Sequence, residues 1–94
     1  MNSIRLTPRA RAGLARSLSE VRARFGLAVA ERVLERFEQA FERIAEQPGI
    51  GHRREDLSTG ARLRFWSVGP TLIAYSVVDE EIRVIFVERG ELDW

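Results

Sequence analysis

At 94 residues the chain has room for one hydrophobic core and not for two. Its 45% hydrophobic and 31% charged residues give a globular rather than a disordered composition, and the lack of cysteine rules out a disulfide framework, a Cys-bound zinc site and a thiol nucleophile. The net charge of +1 hides a restriction: all 15 cationic side chains are Arg, and a guanidinium stays protonated at ordinary pH, so none of them can serve as a general base.

No run approaches the length of an apolar membrane span, and the opening "MNSIRLTPRARAG" has no apolar segment behind its charges. A soluble cytoplasmic protein is the expectation. "SIRL" at 3–6 reads as a short edge strand. Thr7-Pro8 then marks a helix start, because a Thr hydroxyl can cap free amides and Pro suits the first helical position. Leu14, Leu18, Val21 and Phe25 recur on one face, and Gly26 follows as a C-terminal cap, which predicts a helix over 8–25. A second helix over 28–46 carries the strongest period, with Ala30, Val33, Leu34, Phe37, Phe41, Ile44 and Ala45 on one stripe, and "QPGIG" ends it. The two make an αα-hairpin.

From residue 61 the period falls to two. "ARLRFWSV", "TLIAYSVV" and "EIRVIFVE" predict three strands joined by short turns at Gly69-Pro70 and Asp79-Glu80, the middle run being apolar enough for a central strand. The fold class expected is α+β in the order β-α-α-β-β-β. One domain spanning 1–94 would pack the hairpin on one face of a three- to four-stranded antiparallel sheet.

Charge is unevenly placed along this pattern. Residues 1–24 hold Arg5, Arg9, Arg11, Arg16, Arg22 and Arg24 against Glu20 alone, and "RREDLSTGARLRFWSV" at 53–68 packs Arg53, Arg54, Arg62 and Arg64 around a Gly-containing turn. Strand spacing sets Arg62, Arg64 and Trp66 on one side and Leu63 and Phe65 on the other. That side is either a cationic surface suited to phosphates or carboxylates, with Trp66 as an aromatic plate, or a solvated strand face; spacing alone does not choose. His52 is the only histidine and has no nucleophile beside it in sequence, and Ser58, Thr59 and Ser67 have no His-Asp companions. No phosphate loop, metal-ligand cluster or carboxylate pair stands out, so neither a cofactor nor a metal is expected.

The ordered motifs resemble those of the ParE toxins in the RelE/ParE superfamily, the toxic halves of type II toxin-antitoxin, or plasmid stabilisation, modules. The resemblance covers essentially the whole chain. It rests on "LTPRARAGL", on "RIAEQPGIGHRREDL" beside the pattern L-x-x-x-P-x-x-G-x-x-R-x-x-L, on "GARLRFWSVGPTLIAYSV" beside G-x-R-x-x-x-V-G-x-Y-x-I-x-Y, and on "VERGELD" beside V-x-H-G-x-R-D. Arg89 and Leu92 depart from the last pattern. The superfamily's RelE-like members cut mRNA on the ribosome with Lys and Arg and often a C-terminal Tyr, whereas its ParE-like members poison DNA gyrase. Arg62 and Arg64 fall near the strand lysines of the first group but cannot take a proton from a ribose hydroxyl. Thr71 or Leu72 stands where that group has an arginine, and Tyr75, inside an apolar run, reads as core.

The resemblance therefore implies a gyrase-binding toxin without catalytic residues, neutralised by a ParD-like antitoxin whose C-terminal segment covers the hairpin and a sheet edge. An mRNA endonuclease and a non-toxic interaction domain of the same fold are the alternatives. On this reading Arg53, Arg54, Arg62, Arg64, Trp66, Arg83 and Arg89 are the candidate target-binding residues. Arg9, Arg11, Leu14, Arg16, Leu18 and Arg22 are the candidate antitoxin-binding residues, their positive charge suiting an acidic partner. Direct nucleic-acid binding is left open, and no membrane association is expected.

Overall fold

Thr7 shows how the sequence starts the fold. Its hydroxyl accepts from the Ala10 amide at 3.1 Å, capping a helix that opens on Pro8, and donates to the Ile85 carbonyl at 2.8 Å, which ties the helix start to a strand 78 residues away. A computed structural model describes residues 2–53 and 63–89. Its elements in chain order are β1 (Ser3–Leu6), α1 (Pro8–Phe25), α2 (Leu27–Glu46), a 3-10 turn at Pro48–Ile50, β2 (His52–Arg53), β3 (Arg64–Val68), β4 (Thr71–Val78) and β5 (Glu81–Arg89).

One residue, Gly26, separates the helices. At φ 93° it sits where a side chain would be strained; its amide donates to the Arg22 carbonyl and its carbonyl accepts from Ala30, so it ends one helix while starting the next. The strand order is β1-β5-β4-β3-β2, so the apolar "TLIAYSVV" run is central as its composition predicts. The β-α-α-β-β-β order holds, and the sheet differs from the expectation in two respects. Among the described residues it has five strands rather than three or four, because His52–Arg53 pairs with β3, and it is mixed, because β1 lies parallel to β5 with Ile4 opposite Ile82. After the hairpin, the antiparallel steps from β2 to β3 to β4 to β5 leave β5 beside β1 and running in the same direction, an arrangement local periodicity cannot encode.

The core fills the space between hairpin and sheet. Phe37, Ala40, Ile44 and Ala45 of α2 and Ala10 of α1 meet Val68, Ile73, Tyr75, Ile82, Val84 and Val87 of the sheet. Phe25 and Leu34, both assigned to packed stripes by their spacing, are instead exposed, Phe25 by 63%. Phe25 stands beside Gly26 at the end of the hairpin, whereas Leu34 lies between the buried Ala30 and Phe37 at the margin of the packed stripe.

Candidate partner-binding surfaces

Pro48 prevents α2 from continuing, and the 3-10 turn it opens is held by two side chains from the sheet. The buried Tyr75 hydroxyl donates to the Pro48 carbonyl at 2.7 Å and accepts from the Gly51 amide at 2.8 Å. Arg64 Nη1 lies 3.2 Å from the Gly49 carbonyl oxygen and 3.0 Å from that of Gly51. Burial pushes the Tyr75 hydroxyl above the ordinary phenol value of 10.0, against the opposing pull of the Gly51 amide and the nearby Arg64 charge. The sequence pattern already places Tyr75 in the core, and its full burial agrees with that reading.

Arg64 corrects a sequence expectation. Opposed residues on neighbouring strands share a face, and Arg64, Trp66 and Val68 stand opposite Tyr75, Ile73 and Thr71. This is the face covered by the helices. Trp66 is half-buried and packs against the core, while Phe65, assigned with Leu63 to the other side, is 4% exposed and meets Phe86 at 6.4 Å between ring centres. The reading of Arg64 and Trp66 as an open cationic strand face fails because both sheet faces carry apolar residues here, and alternation shows only that the two sides differ. Arg64 at the end of its row reaches the turn and binds carbonyls.

The remaining target-binding candidates are dispersed. Arg53 is exposed and paired in register with Arg64, and His52 stacks on Trp66 with ring centres 6.3 Å apart and planes 13° from parallel. Arg83 pairs with Glu81 at 3.1 Å, and Arg89 approaches Glu20 at 4.0 Å near the opposite end of β5. Arg54 and Arg62 lie outside the described residues. The structure thus joins Arg53, Arg64 and Trp66, adds His52 to them, and sets Arg83 and Arg89 apart. Among the described residues no three His, Cys, Asp or Glu side chains gather as a metal site, and no helix is long and apolar enough to cross a membrane.

On α1, Arg9 bonds Glu88 at 2.6 Å and lies over the Phe86 ring, 4.7 Å from its centre, so it already serves an intramolecular contact. Leu14 and Leu18 are half-buried against the core. Arg11, Arg16 and Arg22 are exposed and make no ion pair among the described residues. Leu18 and Arg22 continue into an outer groove of about 320 Å³ between the helices, lined also by Leu27, Ala30, Leu34 and the acid Glu31.

A second groove of about 340 Å³ opens where the hairpin tip meets the β3–β4 turn. Val21, Phe25, Val29, Val33, Phe37 and Val68 give it an apolar lining, and Arg24, Arg36, Arg89 and Glu20 supply its charges. Sequence reasoning missed this groove. The available signal was Phe25, a large apolar residue beside the hairpin glycine, where a chain turning in water is ordinarily polar.

Two helices on a mixed sheet in this order form an arrangement already seen in a solved structure. A solved chain described as belonging to the chromosomal ParDE TA system from P. aeruginosa superposes with a TM-score of 0.79 at 19% identity, over 97% of this chain and 98% of that one. Residues 4–94 match the family described as ParE toxin of type II toxin-antitoxin system, parDE, and the chain belongs to that ParE toxin family. No curated protein matches the sequence. The family read from the motifs is therefore the family found.

Proposed function

We propose that this protein is the toxin of a type II toxin-antitoxin pair, acting in the cytoplasm by binding DNA gyrase and held inactive by a ParD-like antitoxin. The observation that carries the antitoxin half is the surface of the helical hairpin. Phe25, Leu27 and Leu34 are exposed large apolar residues beside two grooves, whose borders carry Arg22, Arg24 and Arg36, unpaired among the described residues. Apolar residues grouped on a surface mark a site that another chain covers, and unpaired cations around them favour an acidic one. Membership of the ParE family supports the same partner.

The binding rather than cutting mode draws on the chemistry of the strand cluster. The Tyr75 hydroxyl already donates to Pro48 and accepts from Gly51, and Arg64 is engaged with two carbonyls. Neither is arranged to move a proton on a substrate, and no Arg here can act as a base. Induction in a growing culture, followed by gyrase supercoiling and cleavage-complex assays on purified protein, tests the proposal. Growth arrest with loss of supercoiling is the expected result. Codon-specific cuts in ribosome-bound message would replace it with the nuclease reading, and unimpaired growth would replace it with a non-toxic interaction domain.

A further inference from the structure

The two helices of the hairpin carry opposite charge. α1 has five arginines against one acid, and α2 has five acids against three arginines. Positions three and four apart share a helix face, so Arg11, Ala15, Leu18 and Arg22 form one stripe of α1, and Leu27, Glu31, Leu34, Glu38 and Glu42 form one stripe of α2. Ala15, Leu18 and Arg22 line the outer groove together with Leu27, Glu31 and Leu34, which puts the two stripes on its facing walls. Every charged member of the first stripe is Arg and every charged member of the second is Glu. All of them are exposed, and among the described residues none makes an ion pair, so the chain does not use this complementarity on itself.

Distance from the hairpin turn decides what each residue can meet. The helices run back along each other from Gly26. Arg22 lies four residues before that glycine and Glu31 five after it, Leu18 and Leu34 lie eight on either side, and Arg11 lies fifteen before and Glu42 sixteen after. At a rise of about 1.5 Å per residue, the members of each pair share a level along the hairpin to within about 1.5 Å. A twofold axis laid along the groove keeps those levels and exchanges the helices, so that α1 of one copy faces α2 of the other. Arg22 then meets Glu31, Leu18 meets Leu34 and Arg11 meets Glu42, each twice, and the 55% exposed Leu27 is enclosed near the turn. All neighbouring helices in that assembly are antiparallel, as in an up-and-down four-helix bundle. We propose that the free toxin associates with a second copy of itself through this face. Opposite charges and matching leucines at equal levels on two helices of one chain are what a twofold copy requires and what an unrelated partner does not. The face runs only about 22 Å from Leu27 to Glu42, at the low end of specific interfaces, so association in the micromolar range is expected. The assignment rests neither on the antitoxin nor on gyrase.

Sedimentation velocity on the purified chain, from about 1 to about 300 μM, tests the proposal with three variants: Arg22→Glu, Glu31→Arg and the two combined. Both positions are exposed, and circular dichroism checks that each variant keeps the fold. The wild-type chain should pass from monomer to dimer within that range and should do so less readily as salt is raised. Either single reversal sets like charges against each other at both symmetry-related positions and should weaken the dimer roughly tenfold or more. The combined variant restores both attractions with their signs exchanged and should dimerise within about threefold of the wild type, a rescue that a merely local effect of either substitution does not produce. A wild-type chain that stays monomeric throughout would overturn the second copy while leaving the toxin and antitoxin readings as they stand. A dimer that ignores the single reversals, or that the combined variant fails to restore, would place the contact on another face and overturn the proposal equally.

Discussion

Replacing Gly13 by Ala sets two sizeable effects against each other. Ala is favoured over Gly inside a helix by about 1 kcal/mol, so on propensity alone the substitution stabilises α1. The position is buried, however, and a Cβ built there would lie 3.0 Å from the Val87 carbonyl carbon and 3.6 Å from its Cα, with the carbonyl oxygen nearer still. That contact is with backbone, which cannot rotate away. β5 is held by β4 along its whole length, so relief has to come from α1 moving outward. Such a shift strains the Thr7 bonds to Val84 and Ile85, at 3.1 and 2.8 Å, that anchor the helix start. Overpacking of a tight site costs about 1–3 kcal/mol and weakening each of two hydrogen bonds about 1 kcal/mol more, which leaves a net loss of about 2–4 kcal/mol after the propensity gain. For a domain of this size that lowers Tm by at least about 8 °C. Thermal and urea unfolding followed by far-ultraviolet circular dichroism measures it, with Gly49→Ala, whose Cβ would meet nothing within 4 Å, as the comparator. A Gly13→Ala protein as stable as the wild type would refute the close packing of α1 on β5.

Tyr75→Phe leaves the buried Gly51 amide without its acceptor and should cost about 1–3 kcal/mol in urea unfolding with an unchanged m value. Because burial raises the folded-state value of Tyr75 above 10.0, its contribution is fully present below pH 10 and declines as pH climbs toward the folded value; the alkaline loss of stability should be smaller in Tyr75→Phe. Asp79 and Glu80 both adopt positive φ, at 49° and 63°, in the two-residue β4–β5 turn, so Glu80→Gly should raise stability by about 0.5–1 kcal/mol, seen as a higher Tm. Arg64→Ala should lower stability by about 1 kcal/mol or more through its two carbonyl contacts, whereas Arg53→Ala should leave the unfolding midpoint within about 0.5 kcal/mol of wild type.

What the sequence made legible was whatever its local period encodes. The Thr7-Pro8 start, Gly26 between the helices, the Pro48 stop and the central place of β4 all follow from residues acting on their immediate neighbours, and each is where it was expected. The parallel β1–β5 pairing joins residues 78 apart and leaves no local trace. The open strand face expected for Arg64 and Trp66 was misplaced for a related reason. Alternation shows that two sets of side chains diverge, but which set meets the helices depends on where the hairpin docks. With Val68 beyond Trp66 in the same row and Phe65 also buried, both sides of β3 are apolar, and the charged residue that ends the row turns its guanidinium to the turn carbonyls. The exposure of Phe25 and Leu34 was hidden in the same way, because periodicity marks a face without showing how much of it the packing covers.

Placing Arg64 in the turn changes where a partner's energy of binding should be sought. Charge reversal at Arg64 would disturb the Pro48–Gly51 backbone as well as any contact with a target, so loss of toxicity in such a variant would not by itself locate a binding surface. Exposed guanidiniums without an internal partner are different: they lose little stability when changed, and their effect on binding reads out binding alone. Among the described residues the arginines that meet this condition and also border apolar surface are Arg22, at the outer groove, and Arg24 and Arg36, at the tip groove. All three belong to the helices. Of the sheet arginines among the described residues, Arg64 serves the fold, Arg5, Arg83 and Arg89 approach a nearby acid, and Arg53 is exposed without an ion pair but borders neither groove. The hairpin is thus the part of this toxin whose surface chemistry is left over after folding, and it is there that single substitutions separate a partner's contribution from the fold's own.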